Sequence, residues 1–106
     1  NLYSEAQDEV LKINDQKKAL REQHMVEPDS QEQKDLELLE KRQVCMSGKF
    51  NIELTEEEWK RCEEIDKAGL TNYQEQALEL NKRSIHFRKE LKEAQKGMKE
   101  DVAKNV

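Results

Sequence analysis

Two histidines, two cysteines and a dense set of carboxylates are the side chains of this sequence that could carry chemistry. Their spacing does not assemble a site. A zinc site of the HExxH kind needs two histidines one helical turn apart on the same face, with a Glu between them. His86-Phe87-Arg88-Lys89-Glu90 lacks the second histidine and puts its Glu four positions on. His24 falls at the end of a helical pattern, where an imidazolium suits the helix dipole. Cys45 and Cys62 have no CxxC spacing. They read as reduced, part-buried thiols of an intracellular, cytoplasmic protein, with a single disulfide between them left open. Glu56, Glu57, Glu58, Glu63 and Glu64 read as a solvated helix face. A catalytic carboxylate pair needs a pocket that separates two pKa values, and a slim helical chain offers little pocket. Ser47-Gly48-Lys49 has the Gly-Lys of a phosphate loop but neither its first Gly nor the preceding strand. There is no nucleophile elbow and no GxGxxG. The sequence therefore predicts no catalytic residue, no cofactor, no metal and no enzyme.

Composition points instead to long solvated helices. Of 106 residues, 41% are charged and 34% apolar, with three Gly and one Pro. An average soluble domain has about 25% charged residues. The net charge of −5 argues against nucleic acid as the main ligand. No apolar run approaches the ~20 residues of a membrane span, and no signal peptide is visible. The chain begins at Asn1 without Met, which suggests an excised fragment or a processed product. One helical domain or fragment over 1–106 is the expected organisation, with an apolar core undersized for an independent monomer.

Helix starts are marked by Ser or Thr followed three positions later by Glu or Gln. The hydroxyl and the later side chain then satisfy unpaired N–H groups reciprocally. Ser4/Gln7, Ser30/Gln33, Thr55/Glu58 and Thr71/Gln74 have this form. They predict helices over about 4–24, 30–47 and 55–104. Pro28 pushes residue 27 out of the helical region and makes a turn there. Gly48 is a natural C-terminal cap. Phe50, Ile52 and Leu54 alternate with polar residues, and read as an extended connector over 48–54 whose apolar side chains plug the end of a bundle. Leu36, Leu39, Gln43 and Met46 form the expected inner edge of the second helix. Leu54 is placed to staple against Trp59, itself expected in the core. Near Gly69 the apolar phase slips by one position. One continuous helix through Gly69 is the preferred reading, since Gly costs only about 1 kcal/mol in a helix interior. A break there, with a restart at Thr71, is the alternative.

The strongest pattern is a heptad seam. Leu70, Tyr73, Ala77, Leu80, Ser84, Phe87, Leu91, Ala94 and Met98 follow in alternating steps of three and four. Such a stripe packs against another helix. Tyr3, Ala6, Val10, Ile13, Lys17 and Leu20 keep the same alternation in the first helix. The expected fold is all-α: an antiparallel hairpin of the first two helices packed on a long third one, a three-helix, coiled-coil-like bundle. The last three or four turns of the third helix would overhang it. The seam residues Leu70, Tyr73, Ala77, Leu80, Phe87, Leu91, Ala94 and Met98 are then the candidate partner-binding residues, and the partner is another protein helix, from a second copy or a different protein. The sequence thus predicts a non-catalytic interaction or scaffold module, oligomeric or bound to a partner. A further alternative is weak binding of nucleic acid or an acidic partner through Lys82, Arg83, Arg88, Lys89, Lys92, Lys96 and Lys99.

One stretch carries a family likeness. Leu36 to Asn81 runs from Leu-Glu-Leu-Leu-Glu-Lys-Arg through Ser47-Gly48 to Ile52-Glu53-Leu54-Thr55-Glu56-Glu57-Glu58. It continues through Ile65, Leu70 and Leu80 to Asn81. This resembles the non-catalytic N-terminal helical region of the thimet oligopeptidase and mitochondrial intermediate peptidase family. There a helix and a Gly-containing connector lead into a capped long helix. The resemblance covers under half of the chain and implies a detached helical segment of a zinc metallopeptidase-like enzyme, unable to hydrolyse peptides by itself. The family's HExxH is absent, so no catalytic role passes to any residue.

Overall fold

The computed structural model describes the backbone over residues 2–104 and the side chains over 3–96. Four helices follow in order: α1 (Leu2–Gln23), α2 (Gln31–Ser47), α3 (Glu56–Ala68) and α4 (Asn72–Lys104). No strand occurs among the described residues. The all-α expectation holds, but the expected third helix is two helices.

The break at Gly69 has two causes. Gly69 takes φ 91° and ψ 152°, a region open essentially to glycine alone. Thr71 then caps α4: its Oγ1 accepts from the Gln74 N–H at 3.2 Å, and its own N–H donates to the Gln74 side chain at 3.0 Å. The cap satisfies donors that an uninterrupted helix would have used internally, so breaking the helix costs little. Thr55 and Glu58 make the same reciprocal pair at the start of α3. Ser30 caps α2 through the Gln33 N–H. Ser4 marks no start, because α1 already begins at Leu2.

α1 ends without glycine. The Met25 N–H donates to the Glu22 carbonyl and the Val26 N–H to the Arg21 carbonyl, each at 3.1 Å. That is the Schellman pattern, with Met25 in the left-handed position at φ 53°. The Val26 side chain packs on the core.

α4 is the central element. The most extensive helix contact is α1 on α4, followed by α2 on α4 and α3 on α2. The α1/α4 pair is antiparallel: the His24 and Tyr73 rings lie 5.8 Å apart, and Arg83 approaches Glu9 at 4.0 Å. Ala6, Ile13 and Leu20 of α1 and Tyr73, Ala77 and Ser84 of α4 are buried. This mixture of small and large side chains lets two helices approach closely.

α2 and α4 run parallel and are joined by polar side chains. The Tyr73 hydroxyl donates to Gln33 Oε1 at 2.6 Å, and Gln74 Nε2 to the Glu32 carbonyl at 3.1 Å. Further along, Gln43 Nε2 donates to the Leu78 carbonyl and Asn81 Nδ2 to Gln43 Oε1. Gln33, Gln74 and Asn81 are buried. Buried amides tolerate few partners, so this ladder fixes the register.

The expected α1/α2 hairpin does not form. The two helices flank α4, bridged by a Lys17–Glu40 ion pair over a polar cleft of about 380 Å³. α4 thus takes the place between them that an α1/α2 contact would fill. Phe87 and Leu91, expected to be exposed on the overhang, are half-buried.

The molecule measures 55 × 33 × 19 Å with a radius of gyration of 16.5 Å. A compact domain of this length has about 13 Å. Its core joins Leu20, Leu36, Leu39, Cys62, Ile65, Tyr73, Ala77 and Leu78.

Candidate functional site

Of the predicted seam residues, Tyr73, Ala77, Leu80, Phe87, Leu91 and Ala94 lie along α4, whose most extensive contact is with α1, and Leu70 lies in the break before it. Tyr73 and Ala77 are buried, and Leu70, Leu80, Phe87, Leu91 and Ala94 are half-buried. The Met98 side chain lies outside the described residues. The seam therefore has a helix partner inside the molecule.

α3 creates a different surface. It contributes two buried side chains, Cys62 and Ile65, to the cluster with Leu36 and Leu39 of α2, and ion pairs tie its surface to α2. Lys41 pairs with Glu58 at 2.9 Å. Arg42 grips Asp66 with both terminal nitrogens, at 2.7 and 3.1 Å. Arg61 binds Asp35 at 2.9 Å. Lys41 and Arg42 are neighbours, yet they reach residues eight apart on α3, about 12 Å along that axis. α3 packs across α2 over the least extensive of the three helix contacts.

Trp59 lies out of the core, contrary to expectation. It is 38% exposed and lines a groove of about 820 Å³ between α2, α3 and α4. Leu54 packs against the core. Met46, expected on the inner edge of α2, is 71% exposed and lines the same groove, while Val44 is buried instead. Ile85 lies behind them, and Lys49, Lys82 and Glu63 stand at the rim. Sequence reading singled out Trp59 but had no signal for the groove, because it forms where α3 docks on α2 through side chains distant in sequence.

The connector turns along α4. The Phe50 ring lies under Arg88 Cζ at 5.7 Å and Lys92 Nζ at 5.4 Å. Leu54 is packed on the core as expected, and Ile52 is 38% exposed. Of the basic residues of α4, Lys82 pairs with Glu79, Arg83 approaches Glu9, and Lys89 approaches Glu93. Lys99 lies outside the described side chains.

The reactive groups remain scattered. Both cysteines are free thiols, and burial pushes the Cys62 thiol up, which suppresses the thiolate. His86 contacts Glu90 at 3.2 Å on an exposed face. No group of His, Cys, Asp or Glu able to hold a metal occurs among the described residues. No helix is long and apolar enough to cross a membrane, the described residues being those searched.

Acid is expected to loosen α3 first. The Thr55 backbone N–H and then Lys41 hold the Glu58 carboxyl below its usual range. The Arg42 guanidinium does the same for Asp66. A carboxylate with a depressed folded-state pKa contributes stability above its unfolded value, about 4, and loses it as pH falls through the folded value. Hydrogen exchange of α3 amides should therefore accelerate below about pH 4 before that of α4 does. Simultaneous loss in both helices would show that the ion pairs do not hold α3 separately.

The groove is lined by apolar and charged side chains together. Comparison with protein-family models, curated proteins and solved structures finds no match for the chain.

Proposed function

We propose that this chain is a non-catalytic helical protein–protein interaction module, with the groove between α2, α3 and α4 as its binding face. The heptad seam serves the molecule internally by holding α1. The observation that carries this reading is the pair Trp59 and Met46, both exposed at one groove. Trp is the residue type most enriched among side chains that dominate binding energy, usually seated in a pocket with a partner side chain. Met adapts to irregular partners at little cost. Trp59 of α3 and Met46 of α2 thus stand where a second protein would cover them.

Trp59 is the sole tryptophan, so its emission reports the groove directly. Titration with amphipathic helical peptides of different charge, free of tryptophan, should shift that emission to the blue and saturate. Trp59→Ala should weaken binding, followed by a labelled peptide, by about thirtyfold, the value of a hot-spot tryptophan. A folded chain whose Trp59 emission responds to no peptide of any charge would remove the proposal.

A further inference from the structure

We infer that the occupant of this groove is an acidic amphipathic helix of another protein; this rests on the interaction-module reading and adds the chemistry of the partner. The groove is lined by Arg42, Lys49 and Lys82 against Glu63 and Asp66, a small surplus of base. Asp66 is already engaged by Arg42 through two hydrogen bonds. That leaves Lys49 and Lys82 against Glu63, with Lys82 in an exposed contact with Glu79 at 3.3 Å.

The surplus of base does not stop at the groove. Ile85, Lys89, Lys92 and Lys96 continue from Lys82 in steps of three and four, so they share one face of α4. From 82 to 96 the chain has six bases and two acids, within a molecule of net charge −5. Arg88 and Lys92 rest on Phe50, which shields them on one side without neutralising them. Arg88 Nε is buried without a hydrogen-bond partner.

Lys82 to Lys96 spans about 21 Å of helix. A partner helix of about four turns can place a bulky apolar residue against Trp59 and Met46. Its carboxylates, three or four residues apart, then follow the basic face. A basic partner meets like charge along that length, and like-charge juxtaposition opposes association.

The test uses the full chain and a 20-residue synthetic helix free of tryptophan, with Leu and Phe on one face and Glu on the other. Its counterpart carries Lys in place of every Glu. Near 0.05 M salt the acidic peptide should bind at least about tenfold tighter than the basic one, and the advantage should fall as salt is raised. Lys49→Glu with Lys82→Glu should reverse the preference, while circular dichroism shows the helices intact. Should that pair fail to fold, Lys82→Gln alone should still reduce the acidic peptide's advantage, since the Lys82 side chain is 63% exposed. A basic or neutral peptide that binds as well as the acidic one and shifts Trp59 overturns the inference but leaves the module reading standing. So does a single-stranded oligonucleotide that binds this face while the acidic peptide does not. No response of Trp59 to any peptide removes the module reading itself.

Discussion

Ile13→Asp is expected to free α1 from α4 and turn a monomer into a self-associating chain. Ile13 is wholly buried on α1, the helix in most extensive contact with α4. Removing such a side chain alone costs about 2–5 kcal/mol. Placing a carboxylate there adds a desolvation penalty of several kcal/mol. Together these rival the whole stability of a small domain, about 5–15 kcal/mol. α1 has few other anchors: Ala6 and Leu20 are its remaining buried apolar residues. Once α1 leaves, Tyr73, Ala77, Leu80, Phe87 and Leu91 present an uncovered heptad stripe. A second copy supplies an identical stripe, and pairing the two buries both. Light scattering across a concentration series should show the parent chain as a monomer and the variant as a concentration-dependent dimer or larger species. Leu11→Asp is the control: Leu11 sits two residues away but is 56% exposed, and should change stability by no more than about 0.5 kcal/mol. A variant that stays monomeric, with α1 amides still protected, would show that the seam pairing is not what holds α1.

Both halves of that pairing were legible in the sequence as heptad stripes. Their partnership was not. Sequential helices joined by a short turn usually pack together, so α1 was expected on α2. The decisive information is which side chains complement each other across space. Ala6, Ala77 and Ser84 are small and buried, and Ile13 and Leu20 are large and buried, on the two helices that pair most extensively. Gln33 and Gln43, by contrast, satisfy their amides on Tyr73, Asn81 and the Leu78 carbonyl. A glutamine in a helix pattern reads as surface until the group that pairs with it is known. Helix starts fared better, because capping is local: Thr55/Glu58 and Thr71/Gln74 close as their spacing predicts. The preference for continuity through Gly69 weighed the cost of glycine inside a helix and gave too little weight to the cap two residues on. The end of α1 was hard to place for the opposite reason, since Met25 stands where glycine is the usual signal. The groove was the least legible feature. It forms where α3 docks on α2 and α4 passes beside them, and the docking pairs Arg42–Asp66, Arg61–Asp35 and Lys41–Glu58 each look like ordinary surface charges in the sequence.

Leu39→Ala is expected to abolish binding at the groove although Leu39 does not line it. Leu39 is wholly buried, in the cluster that holds Cys62 and Ile65 from α3 and Ala77 and Leu78 from α4. Truncation leaves a cavity in that cluster and should cost about 3 kcal/mol, within the usual range for buried leucine. The loss should not fall evenly. α1 and α4 keep their seam, and α2 keeps its amide ladder to α4, whereas α3 has only two buried side chains and its ion pairs. Ion pairs this exposed contribute little by themselves, typically under about 1 kcal/mol each. Opening of α3 should therefore become the lowest-energy excursion of the variant. Hydrogen exchange should show α3 amides losing protection by about a hundredfold, the equivalent of about 3 kcal/mol, with a much smaller change in α4. Peptide response at Trp59 should fall with the fraction of molecules in which α3 is docked. Uniform loss of protection across all four helices would mean that the bundle unfolds as one unit, and that the groove shares the stability of the core. Local loss at α3 would mean that a mutation in the core tunes the binding face without touching a residue of it.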